Sequence, residues 1–178
     1  MARKNREVVR YTIFPTEWGY FGLAGTGNYL IRTHLPCPRP ERIKSHLLNS
    51  IETYKFEPNL FSSLQKQIKA YFQGASVNFT RDIPVLLEGL GEFSISALKA
   101  CRTIKYGRTL SYKELAIKAG RPNSSRAVGS VLAQNPLPLI IPCHRVVRCD
   151  GKLGGFSGPG GVKLKKKLLA LERQSVMA

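Results

Sequence analysis

A cysteine and a histidine stand side by side in PLIIPCHRVV, residues 138–147, boxed in by apolar residues and prolines and followed at once by Arg145. A thiol becomes a nucleophile as its thiolate, and with an ordinary pKa of about 8.5 it is mostly protonated at neutral pH. A histidine acting as base, itself held by a carboxylate, is the usual remedy. The chain supplies Cys143, His144 and, in a region poor in acids, Glu172. Adjacent side chains on an extended segment point to opposite faces. Either the backbone turns at Cys143, therefore, or a water bridges thiol and imidazole. The plain alternative is a buried strand end with an inert thiol, since free cysteines are among the most buried residue types.

The charge says where a partner would bind. The chain carries 28 Lys and Arg against 11 Asp and Glu, a net charge of +17 over 178 residues. Of these, 16 basic and 3 acidic residues fall in 99–178, so the half containing Cys143 holds +13 of that charge. Such a field fits a polyanion, of which nucleic acid is the commonest. The apolar runs are too short to span a bilayer, and no apolar stretch follows the charged N-terminus to make a secretory signal. The four cysteines form no CxxC pair. Reduced thiols in an intracellular protein, away from membranes, are expected.

The elements that must position these residues are legible as punctuation. Residues 6–14, 19–25 and 28–35 are rich in β-branched and aromatic types, interrupted by Pro15 and by Gly25-Thr26-Gly27-Asn28, and predict an antiparallel meander. Helical spacing follows over 40–52 and 60–74, where Leu60, Leu64, Ile68, Tyr71 and Phe72 make one face and Gly74 a stop. A Pro- and Gly-punctuated connection then separates the halves. The fold class expected is α+β. It has an α/β N-terminal domain with the meander at 1–80, a connection at 81–91, and a mainly helical C-terminal domain with a helix-turn-helix at 92–178.

In the second half, helices are predicted over 92–104, 111–120 and 124–135. Ser111 with Glu114 has capping-box spacing, and the tight turn RPN between the last two helices has helix-turn-helix proportions. The helix after the turn is rich in small residues: Ala127, Gly129, Ser130 and Ala133. Glycine inside a helix costs about 1 kcal/mol relative to alanine, so a close approach is the expected reason, by a partner helix or by a nucleic-acid backbone. Arg126 in the first turn is electrostatically misplaced beside the helix's positive end, which suggests that it reaches outward. The glycine-rich loop 148–161 is expected to wall a pocket. In the final helix, 162–172, Leu164, Leu168 and Leu171 are the expected buried stripe, with Lys163, Lys165, Lys166 and Lys167 solvated.

The stretch GRTLSYKELAIKAGRPNSSRAVGSVLAQNPLPLIIPCHRVV closely resembles the active-site domain of O6-alkylguanine-DNA alkyltransferases, and the similarity continues through GGFSGPGGVKLKKKLLALE, covering roughly residues 92–172. The resemblance of the first half is looser, and the N-terminal domain it implies is of ribonuclease H-like type. It implies a self-inactivating DNA repair protein whose helix-turn-helix binds the minor groove of double-stranded DNA and flips the alkylated guanine into a pocket, a step that costs least where pairing is already poor. Cys143 would then keep the alkyl group. His144 would deprotonate the thiol through a water, Glu172 would orient and charge-stabilise His144, and Asn135 would fix the turn carrying the cysteine. Arg126 would fill the gap left by the base, with Ala127, Gly129 and Ser130 against the DNA. Tyr112 would contact the nucleotide and donate a hydrogen bond to the leaving guanine. Leu132, Pro138 and Phe156 would wall the pocket, and the backbone near Cys143 and Val146, with Ser157, would read the guanine edge.

Implied too are a monomer and the absence of any cofactor, since the protein is its own acceptor. O4-alkylthymine stays open as a second substrate. Phe156 stands where many relatives have Tyr, and the loop SGPGGVK is longer than in some relatives, which bears on pocket size. Some relatives hold zinc in the first domain; here His34, Cys37 and His46 are too few and wrongly spaced for a tetrahedral site, and no metal is expected. Cys101 and Cys149 are expected to be incidental thiols. Two other readings exist: a Cys-His hydrolase, which leaves the +13 half unexplained, and a damage-binding relative that transfers nothing, which Cys143 opposes.

Overall fold

A computed structural model describes residues 8–79 and 82–177. The chain is α+β. Strands β1 (Val9–Thr16), β2 (Gly19–Thr26) and β3 (Tyr29–Cys37) form the meander, joined by two-residue turns at 17–18 and 27–28. Arg6 and Glu7 of the expected first strand lie outside the described residues, as does the expected domain boundary at 80–81. Pro15, expected to end the first strand, lies inside it and pairs with Tyr20 near the hairpin end. Gly25 and Thr26 likewise extend β2, so that only Gly27 and Asn28 make the second turn.

A short strand with no clear signal in the sequence, β4 (Tyr54–Phe56), pairs parallel to β1 and completes the order β3-β2-β1-β4. Helix α1 (Pro40–Leu47) covers one face of this sheet through Ile43 and Leu47, packed with Tyr11, Ala24 and Cys37. It ends well short of residue 52, giving way to a turn with Ser50 in left-handed geometry (φ 63°). Helix α2 (Ser62–Phe72) lies in the core on the other face, and Gly74 (φ 97°) follows it where a left-handed residue is needed.

The second half comprises α3 (Glu92–Cys101), β5 (Leu110–Ser111), α4 (Tyr112–Lys118), α5 (Ser125–Ala133), β6 (Val146–Val147) and α6 (Val162–Met177). The capping box is present in full: Ser111 Oγ accepts from the Glu114 amide, and the Glu114 carboxylate accepts from the Ser111 amide. The two-residue strands pair in parallel, Leu110 with Val146 and Ser111 with Val147. That pairing sets the start of α4 beside the segment after Cys143.

The main core is continuous across both halves, from Phe21, Leu23, Ile68 and Tyr71 through Leu98, Leu115, Val128 and Leu168. The outer edge of β3 is closed by later chain: the Leu30 amide donates to Pro84 O and the Thr33 amide to Pro136 O, while Thr33 Oγ donates to Pro138 O (2.7 Å). No helix among the described residues is long and apolar enough to cross a membrane.

The α1 face leaves no slack. A Cβ at Gly22 would stand 2.3 Å from Ile43 Cγ2 and 2.8 Å from Leu47 Cδ1, both on fully buried side chains. Gly22→Ala is expected to lower unfolding free energy by roughly 1–3 kcal/mol, the scale of overpacking a close-packed interior, read as a lower urea midpoint at unchanged slope.

Candidate active site

The backbone does turn at the cysteine. Cys143–Arg145 form a 3-10 turn, with the Arg145 amide donating to Pro142 O, so Cys143 and His144 do not sit on opposite faces of a strand. The turn is braced from behind by Asn135. Its Nδ2 donates to Ile141 O (2.8 Å), and its Oδ1 accepts from the Leu137 amide (3.0 Å). Between those braces Leu139 is held left-handed (φ 78°), a conformation a γ-branched residue adopts only when its surroundings impose it.

Glu172 gathers the rest. Its Oε1 accepts from His144 Nε2 (2.8 Å), Tyr71 Oη (2.7 Å) and Arg145 Nη2 (3.0 Å), and its Oε2 from Arg145 Nε and the Gly107 amide (both 3.0 Å). Glu172 and His144 are each 1% exposed. Burial alone would raise the Glu172 pKa, but hydrogen bonds from His144 and Arg145 and the charges there outweigh it and hold it at about 2. His144 is lowered from 6.5, first by burial, which outweighs its bond to Glu172; the positive charges of Arg145 and Lys165 act the same way. It therefore rests as neutral imidazole. With Nε2 donating to Glu172, Nδ1 carries the free lone pair, and Nδ1 has no partner among the described residues. Burial likewise raises the Cys143 thiol, against a hydrogen bond from Asn135 and the charge of Lys165.

The final helix corrects the sequence reading. Its buried face is Lys165, Leu168, Leu169 and Glu172; of the expected leucine stripe Leu168 is buried as expected, while Leu164 and Leu171 are only partly buried. Lys163, Lys166 and Lys167 are exposed as expected, but Lys165 is fully buried. Its Nζ donates to Val146 O (2.6 Å) and Gly155 O (3.3 Å) and lies 5.7 Å from the Tyr112 ring centroid. Burial lowers its pKa from 10.5 to about 8. Lys165 thus ties the strand after the cysteine to the glycine loop, and places positive charge near the sulfur. Neither it nor Arg145 and Tyr71 figured among the expected site residues; the i, i+3, i+4, i+7 spacing from Lys165 to Glu172 was the available signal for Lys165.

Cys143 is reached from a cavity of about 660 Å³ bordered by Tyr112, Arg126, Gly129, Leu132, Phe156 and Ser157. Glycine-loop residues Gly154 and Gly155 form part of its wall, as expected for that loop. Tyr112 has its pKa raised, first by burial, and so remains a hydroxyl donor at neutral pH. Ser157 Oγ donates to Ala133 O (2.8 Å). Val146 is buried and its carbonyl is already engaged by Lys165. Pro138 lines a neighbouring cavity instead. Arg126, Ala127 and Ser130 are exposed on the outer side of α5. Among the described residues no partner helix crowds Gly129, where a Cβ would meet only Tyr112 Cε1, at 3.8 Å. Among the described residues no three His, Cys, Asp or Glu side chains are grouped to hold a metal.

A helix-turn-helix beside a cavity floored by a cysteine, with a carboxylate-held histidine behind it, defines a DNA alkyltransferase-like architecture. The chain belongs to the methylated-DNA–protein-cysteine methyltransferase family. Residues 92–174 match the family model described as 6-O-methylguanine DNA methyltransferase, DNA binding domain. The chain is 34% identical to the methylated-DNA–protein-cysteine methyltransferase of Mycobacterium tuberculosis, covering 96% of each chain. It is 41% identical to that of Methanosarcina barkeri, covering 93% of this chain and 98% of the relative. The crystal structure of Mycobacterium tuberculosis OGT in complex with DNA superposes with a TM-score of 0.78 at 34% identity, covering 93% of this chain and 94% of that one.

The depressed Glu172 pKa makes a signed prediction. The folded state binds this proton less readily than the unfolded chain, so the stabilisation is complete above the ordinary carboxylate value of 4.5 and is lost as pH falls towards 2. Glu172→Gln leaves the buried Arg145 without its counter-ion and is expected to cost about 3–5 kcal/mol at pH 7. Urea unfolding at a series of pH values should therefore find the gap between wild type and variant narrowing from pH 5 to pH 2; a constant gap would refute the assignment.

Proposed function

We propose that this chain repairs DNA by direct, irreversible transfer of the alkyl group from O6 of guanine to its own Cys143, once per molecule. The observation that carries this reading is that Cys143 lines one cavity with Arg126 and Gly129 of the second helix of the helix-turn-helix. A nucleophile placed there meets a base that has left the duplex, not one stacked within it.

In this reading double-stranded DNA lies across the exposed side of α5. Ala127, Gly129 and Ser130 permit close approach to the backbone of the minor groove, and the +13 of the C-terminal residues supplies the attraction. Arg126 occupies the gap left by the flipped guanine. The base enters between Tyr112, Leu132 and Phe156, with Ser157 and the second lone pair of Val146 O at its edge. His144 takes the thiol proton at Nδ1 through a water while Glu172 fixes the ring. The thiolate attacks the alkyl carbon, the bond to O6 breaks, and the electron pair leaves on guanine, which accepts a hydrogen bond from the Tyr112 hydroxyl. No cofactor enters because the acceptor is the protein's own sulfur. A monomer suffices, since every group named comes from one chain. The division of labour proposed is a supporting N-terminal domain at 1–80, a connection at 81–91, and DNA binding and chemistry at 92–178.

Incubating the protein with duplex carrying a radiolabelled O6-methylguanine should move one label per protein to Cys143, and Cys143→Ala should abolish transfer while still binding duplex. Intact-mass measurement on the variant checks this; a gain of the alkyl mass by Cys143→Ala would place the acceptor elsewhere.

The roles of Arg126 and His144 separate kinetically. Arg126→Ala should slow single-turnover repair of duplex, where flipping must be held against restacking, and barely change transfer from the free base O6-benzylguanine. His144→Ala should slow both together, by roughly 10²–10⁴-fold, the range for a lost general base. Equal losses of Arg126→Ala on duplex and free base would sink the gap-filling role.

A further inference from the structure

Cys143 borders two cavities, not one. The second, of about 630 Å³, lies between the halves of the molecule, and Cys143, Phe156 and Ser157 line both. Its far wall is built by the N-terminal half: Arg32 and His34 from β3, Arg42 and His46 from α1. None of the residues lining it is acidic. Arg32 is held against that wall by Nη1, which donates to Leu47 O (3.0 Å) and Asn49 O (2.7 Å). Neither Arg32 nor Arg42 pairs with a carboxylate among the described residues, although Arg10 on β1, Arg145 and Arg148 do. The first cavity accounts for a guanine; that account makes no use of the N-terminal residues that line the second.

In-line displacement at an O6–CH₂ carbon puts sulfur and oxygen on opposite sides of that carbon, so any chain beyond it must leave sideways. A methyl group has no such chain. A longer substituent needs a second space that touches the sulfur without belonging to the guanine, and the cavity between the halves touches Cys143 and meets the first at Phe156 and Ser157. Two guanidinium groups with no carboxylate partner on its far wall select what the end of that chain should be. Arginine presents paired N–H donors matched to a carboxylate.

We propose that the cavity between the two halves receives the O6 substituent, and that Arg32 and Arg42 make this protein accept carboxylate-terminated O6-alkyl guanines. The inference rests on the alkyl-transfer reading above. The chemistry is unchanged: the S–CH₂ bond forms, the CH₂–O6 bond breaks, the guanine leaves with the electron pair, and the carboxyalkyl chain stays on the sulfur. The N-terminal half then sets substrate range.

The test compares single-turnover transfer from duplexes carrying O6-methylguanine, O6-(3-carboxypropyl)guanine and its neutral isostere O6-(3-carbamoylpropyl)guanine. Wild type should transfer the carboxylate faster than the carboxamide by roughly tenfold, the scale of one charge-assisted hydrogen bond. Arg42→Gln, whose side chain is exposed and makes no side-chain hydrogen bond or ion pair among the described residues, should cut that ratio, and Arg32→Gln/Arg42→Gln should bring it close to one. Methyl transfer measured on each variant is the reference that separates folding damage from lost selection. Equal rates for carboxylate and carboxamide in wild type overturn the inference and leave the alkyl-transfer reading intact. So does a uniform loss on all three duplexes with weakened binding to undamaged duplex, which would assign the arginines to DNA phosphates. Failure of wild type to transfer even methyl overturns the reading on which the inference rests.

Discussion

One carboxylate that cannot reach water organises this molecule. Glu172 is 1% exposed and accepts hydrogen bonds from Tyr71 on α2, from the Gly107 amide before β5, from His144 and Arg145 in the cysteine turn. An ionised carboxylate without such partners would cost many kcal/mol to bury. Folding therefore succeeds only if all of these segments arrive together. The geometry behind the cysteine is thus tied to the stability of the whole chain, and a local distortion of the site carries a global cost.

The same arrangement decides protonation. Glu172 alone would favour a proton on the imidazole; burial outweighs that pull, Arg145 and Lys165 act with the burial, and His144 is left neutral. The thiol, also buried, rests protonated. Lys165 and the Asn135 hydrogen bond oppose that tendency. A protein that spends its cysteine once gains from a resting state with no standing thiolate, because adventitious electrophiles find little to attack. Thiolate then forms when a proton can pass to Nδ1 with the substrate already in place.

Some of this was legible beforehand. The PCHR segment, the capping box at Ser111 and Glu114 and the outward Arg126 are local signals, each fixed by short-range chemistry. The buried face of α6 was not legible, because a run of lysines beside leucines reads as a solvated face until a tertiary acceptor is known. Lys165 is buried because Val146 O and Gly155 O, 19 and 10 residues earlier, turn towards it. Strand β4 was missed for a similar reason: three residues hold no period, and only the free edge of β1 makes them a strand. The role of Tyr71 was hidden in plain sight. Its place in the apolar stripe of α2 is correct, but its hydroxyl finds Glu172 101 residues away.

These long-range contacts give the N-terminal half a part in the site. Thr33 on the edge of β3 holds Pro136 and Pro138 through its amide and hydroxyl, on either side of the Leu137 amide that Asn135 accepts. The left-handed Leu139 follows directly. A residue kept in a sparsely populated conformation needs constraints on both flanks. Here Asn135 supplies them from the C-terminal half and Thr33 from the sheet. Tyr71 does the same for Glu172. The sulfur is therefore suspended between two anchors, each made jointly by both halves. Movement of one half against the other would release the Leu139 turn and the Glu172 cluster together, so the continuous core spanning both halves is what keeps the nucleophile in register with its base.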